Sequence, residues 1–178
     1  VWAHLGGVES EARFLTATGG EPLPEGVDPA SVVVERSVPI AKAQGDCLLA
    51  WEMNGAPLPL AHGGPLRLIV PGYFGCNHIK YVRHVAAARA QSTAKIQSKG
   101  YRFRPVGTGG APEQPSMWRM PVKSWLNGPG TDGHTVAAGS VVFYGVALSG
   151  ERGIAQVEAS LDGGQTWQPA RLDGPDLG

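Results

Sequence analysis

No apolar run in the sequence approaches the roughly 20 residues that a membrane-spanning helix needs, so no helical span is expected. Net charge is missing too: 15 Lys and Arg balance 15 Asp and Glu. A general nucleic-acid binder carries a basic excess for the phosphate backbone, so that class is not expected. Cysteine is scarce. Cys47 and Cys76 stand far apart, without CxxC or Cys/His finger spacing, and are read as two buried free thiols rather than one disulfide. The five histidines, at positions 4, 62, 78, 84 and 134, show no metal-ligand spacing beyond an isolated His78 and His84. A protein-only zinc site is therefore not expected. No serine or cysteine sits in a nucleophile-elbow context, which excludes a recognisable Ser-His-Asp or Cys-His centre. Cys76, after Gly75, is read as an inert packed thiol. No signal-peptide pattern opens the chain. It starts at Val1 without Met and stops at Gly178 in a polar loop, and the expectation is a piece of a longer protein.

What is present points to a folded, strand-rich chain. Hydrophobic residues make up 42% and charged residues 17% of the 178 positions, a balance that builds a core. Gly (26) and Pro (15) favour many turns and short strands over long helices. A single turn of helix is possible before Glu11. Arg13 to Thr18 alternates as a strand, Val32 to Val34 begins a second, and Ser37 to Gln44 reads as a short turn of helix. Asp46 to Trp51 is a strand or a helix end, and Asn54-Gly55 marks a tight turn. Leu66 to Val70 and Ile79 to Ala86 are strand candidates. Residues 90 to 110 form a long basic excursion, and long ordered loops are more often functional than structural. Beyond the proline-rich 111–121 run come strand candidates at Val122 to Leu126, Ser140 to Leu148, Ile154 to Leu161 and from Thr166, with a hairpin turn at Asp162-Gly163-Gly164. Four such strands read as the beginning of a β-sandwich, too few to close one.

Chemistry concentrates between Cys47 and Tyr101. The apolar Leu66–Val70 strand runs into Pro71-Gly72 and a short loop, from which Asn77, His78 and Lys80 emerge; His62 and Arg67 precede them. Desolvating an oxyanion takes charge-assisted donors and fixed backbone N–H groups, and a strand-to-loop junction supplies both. Two readings stay open on spacing alone: an anion-holding wall, or an Arg67 facing solvent with His78 and Lys80 on an exposed loop. His62, at a turn, reads equally as a capping or packing histidine. Tyr101 lies in the basic run KGYRFR, either as a donor to an anionic substrate or as a surface tyrosine.

The stretch LLAWEMNGAPLPLAHGGPLRLIVPGYFGCNHIKYVRHV resembles the C-terminal part of the molybdopterin-binding domain of the sulfite oxidase family, whose version runs close to LLAYEMNG, a His-Gly, PVR, an apolar strand, VPG and VKW. PSMWRMPVKSWLNGP resembles the entry to that family's dimerisation domain, and SGERGIAQVEASLDGGQTWQPARL a later segment of it. The likeness runs collinearly over about residues 30 to 178, and bacterial sulfite dehydrogenases fit the wording best. It implies an α+β, mostly β fold: a partial mixed α/β molybdopterin-binding domain over residues 1–113, then a partial immunoglobulin-like β-sandwich dimerisation domain over 114–178. It implies a molybdenum–molybdopterin cofactor and oxygen-atom transfer that turns sulfite into sulfate, with electrons passed singly to a cytochrome c or haem. A homodimer and a periplasmic location follow from the same likeness.

Residue by residue, His62 and Arg67 match the family's His and Arg that hold the pyranopterin and its phosphate. His78, Ile79 and Lys80 match the tripeptide that contacts the same cofactor through backbone and Lys. Tyr101 falls at the active-site tyrosine. The departures are specific. The molybdenum-ligating Cys and the arginines near it are expected upstream of Val1, since neither Cys47 nor Cys76 occupies that position, so no metal ligand is assigned within the chain. An acidic pterin contact expected after RFLTAT is replaced by Gly19 or Gly20, and Trp51 stands for a family Tyr, read as a packing change. The fragment alone is expected to be inactive. Two competing readings remain: the same cofactor acting on another oxyanion or S-oxide, nitrate included, or a non-catalytic interaction fragment.

Overall fold

Strand β1, Phe14–Gly19, alternates along its length, and the alternation builds the centre of the first unit. Leu15 and Ala17 are buried in the core, while Thr16 and Thr18 turn to the other face. The structure is a computed structural model that describes residues 4, 6–20, 24–28, 32–130 and 135–173. The chain divides into two units, Val1–Trp118 and Arg119–Gly178.

In the first unit β1 is the middle of a three-stranded antiparallel sheet, between β2, Val34–Pro39, and the strand His84–Ala88. Thr16 meets Ser37 across the pair, their hydroxyls 2.7 Å apart, and Thr18 donates to Glu35 at 2.5 Å. β2 is an edge strand, and the outward backbone groups of Ser37 are covered by side chains. Gln97 Oε1 accepts its N–H at 3.2 Å, and Trp118 Nε1 donates to its carbonyl at 2.9 Å. That capping blunts the edge at Ser37. Helix α1, Ile40–Gly45, follows and buries Ala43.

β3, Leu48–Ala50, is joined to its partner β6, Arg67–Ile69, by the hairpin of β4, Glu52–Met53, and β5, Ala56–Pro57. Asn54 and Gly55 turn that hairpin at φ 54° and 77°, the left-handed conformation that Asn and Gly adopt at least cost. His84–Ala88 is β7. Val38, Leu68, Val70, Tyr73 and Ile79 complete the core with Leu15, Ala17 and Ala43.

The second unit holds four strands among its described residues, in two antiparallel pairs: β8, Lys123–Gly128, with β9, Tyr144–Leu148, and β10, Glu158–Ala159, with β11, Gln168–Pro169. The mostly β, α+β character expected from the sequence is what the chain adopts.

Several boundaries differ from the sequence reading. Ser37 to Pro39 belong to β2, because pairing with β1 outweighs a weak helical start, and the helix begins at Ile40. The strand expected over 79–86 begins at His84, since Ile79 bonds back to Leu68 and Tyr81 adopts φ 54°. The strand expected at Ile154 to Leu161 shrinks to Glu158–Ala159. Trp51 is exposed, so its standing in place of the family's Tyr does not change what packs in the core. Of the 21–31 loop, only residues 24–28 lie within the described set. Among the described residues no helix is long and apolar enough to cross a membrane.

Candidate functional site

Behind β6 the chain turns at Pro71-Gly72 and winds one 3-10 turn, Gly75–Asn77. Asn77 is fully buried and every polar atom of its amide is used. Nδ2 donates to Phe74 O at 3.0 Å and Met117 O at 2.9 Å, while Oδ1 accepts Arg36 Nη2 at 3.0 Å. A buried amide so satisfied holds its turn rigidly. The turn therefore presents Cys76 and His78 at a defined place.

A second anchor lies upstream. The 3-10 turn Leu60–His62 offers its carbonyls to the two cations that follow: Arg67 Nη1 donates to His62 O at 2.9 Å, and Lys80 Nζ to Ala61 O at 2.8 Å. Gly63, at φ 99°, sits against the Lys80 methylenes, where a Cβ would lie 2.6 Å from Cγ. The opposite wall comes from the basic excursion. Residues Ile96–Gly100 form one π-helical turn and deliver Tyr101. Its base is a polar network in which buried Gln97 donates to Gln91 at 2.6 Å, and Arg102 donates to Ser116 at 2.8 Å and Gln114 O at 2.9 Å.

These walls enclose a cleft of about 540 Å³ onto which Arg67, His78, Lys80 and Tyr101 open, with Cys76 and Ile96 between them. No Asp or Glu is among its described lining residues. Arg67 Nε is buried without a hydrogen-bond partner, a donor without an acceptor in a positively charged wall. Burial, reinforced by the nearby Arg67 charge, holds the His78 imidazole below its ordinary value, against hydrogen bonds to Tyr73 and Val70 that raise it. Burial also pushes both thiols up, Cys47 to about 11 and Cys76 against the opposing pull of Arg36. Neither is disposed to be a thiolate. Both are free.

The structure thus brings four of the singled-out residues, Arg67, His78, Lys80 and Tyr101, to one cleft. His62 is exposed outside the lining and meets the site through its backbone carbonyl, and Ile79 is buried in the core with its carbonyl accepting Leu68 N at 2.8 Å. Gly19 and Gly20 differ sharply. A side chain at 19 would collide with the Lys80 carbonyl, whereas Gly20 lines the cleft with open space. Among the described residues no cluster of three or more His, Cys, Asp or Glu could hold a metal. The residue missed in the sequence is Arg36, fully buried in β2 behind Tyr101. An Arg at the alternating position between Val34 and Val38 in VVVERSVP was the signal, obscured because strand and helix readings met there.

The donor set suits a large anionic group, and the comparisons name one. Residues 3–96 match the oxidoreductase molybdopterin binding domain, and residues 114–177 the Mo-co oxidoreductase dimerisation domain. The chain belongs to the molybdopterin-binding oxidoreductase family of sulfite oxidase type, whose cofactor is molybdenum–molybdopterin. It is 40% identical over 157 residues to the mitochondrial sulfite oxidase of Homo sapiens, covering 84% of this chain and 29% of that protein. It is 29% identical over 158 residues to the nitrate reductase [NAD(P)H] of Hordeum vulgare, covering 80% of this chain and 18% of the other. A crystal structure of the sulfane dehydrogenase from Paracoccus pantotrophus superposes with a TM-score of 0.76 at 30% identity, covering 98% of this chain and 42% of that one. The chain thus spans about 29% of the length of the human relative. Tyr101 lies between the two matched segments.

Proposed function

We propose that the protein to which this chain belongs oxidises sulfite to sulfate at a molybdenum–pterin centre and passes the electrons singly to a cytochrome c or haem. The observation that carries this reading is the cleft itself: Arg67, His78 and Lys80 on one side, Tyr101 on the other, an unpartnered Arg67 Nε and no carboxylate among the described lining. When bound, the cofactor supplies the oxygen-atom transfer and takes up the two electrons. The chain's own residues do the rest. Arg67 and Lys80 hold the pterin and its phosphate, braced by the carbonyls of His62 and Ala61. His78 and Ile79 contribute backbone groups beside them, and His62 acts at the same end through the carbonyl that holds Arg67. Tyr101 donates its phenolic O–H to the substrate oxyanion, a donor placed where negative charge must be stabilised. Neither Cys47 nor Cys76 is assigned as a molybdenum ligand.

We place the boundary between the pterin-binding part and the dimerisation part at 113/114, where the dimerisation match begins. That second part pairs two copies of the protein, and the periplasm is the proposed compartment. The full-length protein should carry about one molybdenum per chain and reduce cytochrome c when given sulfite. Tyr101→Phe should lower turnover by about 10²-fold with molybdenum retained, and Arg67→Ala should lower molybdenum content itself. Full-length protein without molybdenum would defeat this reading and leave an interaction module. A second reading has support from the sulfane dehydrogenase match: the same cofactor acting on another sulfur substrate. Molybdenum without sulfite turnover would favour it.

A further inference from the structure

Strand β2 carries a charge on its core face. Val34, Arg36 and Val38 alternate onto one side, with Arg36 opposite Ala17 and Val38 opposite Leu15. Arg36 is 1% exposed, and a guanidinium is almost never so buried unless paired. Yet among the described residues its hydrogen-bond acceptors are neutral. Nε and Nη2 both donate to Asn77 Oδ1, at 3.3 and 3.0 Å, and Nη1 donates to Ile96 O at 2.9 Å. Its carbon centre lies 5.6 Å from the Tyr101 ring centroid. The three contacts reach the 3-10 turn before His78, the first residue of the π-turn, and the ring at that turn's end. Cys76, Ile96 and Tyr101 line the cleft, so Arg36 stands directly behind its wall. A purely structural role would be served more cheaply by a neutral or paired side chain, because burying a guanidinium without a counter-charge is strongly unfavourable.

We propose that Arg36 is a positioning residue of the substrate cleft: its fork fixes Tyr101 and the His78 turn relative to each other, and its charge attracts the oxyanion through the wall. This rests on the oxyanion reading given above. A guanidinium stacked on an aromatic face and bonded on two edges is a geometry that Lys does not reproduce, while Lys keeps the charge. Charge and fork are thereby separable by substitution.

The test uses the full-length, cofactor-loaded protein with inorganic sulfate as probe. Sulfate affinity by calorimetry is measured for the parent, Arg36→Met and Arg36→Lys, with molybdenum content, thermal unfolding and the KM and kcat for sulfite alongside. Arg36→Met should weaken sulfate binding by about tenfold, the effect of one charge acting across a protein wall. Arg36→Lys should keep sulfate affinity within about threefold and lower kcat about tenfold, because Tyr101 loses its brace. A folded Arg36→Met that binds sulfate like the parent overturns the proposal, as does a parent that binds no sulfate. If Arg36→Met does not fold, parental kcat and sulfate affinity in Arg36→Lys overturn it instead. A parent that holds molybdenum, ignores sulfite and still loses sulfate affinity in Arg36→Met refutes the sulfite reading alone and supports the role of Arg36.

Discussion

The Lys80 carbonyl occupies the space that a Cβ on Gly19 would fill, and the Ile79 side chain stands beside it. The last residue of β1 therefore has to be glycine for reasons of packing, with no positive φ involved. Contact across this point brings the segment carrying His78 and Lys80 flush against the sheet, where Arg83 N donates to Thr18 O at 3.0 Å.

Gly19→Ala should push that segment outward. Overpacking of this kind costs about 1–3 kcal/mol, and the obstacle is backbone that cannot rotate aside. Gly45→Ala is the matched comparison: nothing lies within 4 Å of its Cβ position, so the change should be neutral or slightly stabilising. Urea unfolding of both variants decides this. Molybdenum content of the full-length protein should fall in Gly19→Ala only.

Asn77→Leu should be among the most damaging single changes in the first unit. It strips the acceptor from two Arg36 donors and removes the side-chain amide donor from the carbonyls of Phe74 and Met117, the first of which keeps the backbone N–H of residue 77. Hydrogen bonds to charged groups contribute about 1.5–3 kcal/mol each, so a loss of roughly 3 kcal/mol or more is expected. The double variant with Arg36→Met should lose much less than the sum of the two single changes, because the buried charge is then gone. Additive losses in the denaturation midpoint would show that Asn77 acts independently of Arg36.

How much of this was legible beforehand follows from the kind of signal each residue carries. RFLTAT and LRLIV showed as strands because period-two alternation and dense apolarity are local properties. Arg67, His78, Lys80 and Tyr101 were visible as charged or donor groups around a strand-to-loop break, and family resemblance singled them out. Arg36 was not, since its significance comes from Asn77 and Tyr101, 41 and 65 positions away by their numbering. Nor does a sequence say that Ile79 turns into the core while its neighbours open onto the cleft. The two-residue β10 was overestimated because alternation in IAQVEASL continues past the point where a partner strand exists.

His78 makes stability depend on pH. Its imidazole is held below the ordinary value of 6.5, chiefly by burial, so the folded state binds fewer protons there than the unfolded chain. Stability therefore rises with pH through the window below 6.5 and levels off above it. His78→Gln should flatten the melting temperature across roughly pH 5 to 7 relative to the parent. A parent curve as flat as that of the variant would contradict the assignment.

Asp162 adds a contribution of the same sign in the second unit, at lower pH. Its Oδ1 accepts the N–H groups of Gln165 at 3.0 Å and Thr166 at 2.9 Å, and Oδ2 accepts the Thr166 hydroxyl at 2.6 Å. These bonds, led by the Thr166 hydroxyl, pull its carboxyl down to about 2 from 3.8. A carboxylate depressed in the folded state stabilises above its unfolded value and stops doing so as pH falls through the folded one. The hairpin of β10 and β11 should therefore hold unchanged down to about pH 4 and loosen between 3.8 and about 2. Amide exchange reads this directly, because Ala170 N donates to Val157 O at 2.8 Å just beyond the paired strands. Asp162→Ala should leave Gln165, Thr166 and Ala170 exchanging fast already at neutral pH. Asp162→Asn, which keeps the Oδ1 acceptor without a charge to titrate, should keep part of the protection and lose its acid dependence. If that variant still loosened between pH 3.8 and 2, another group would be responsible for the transition.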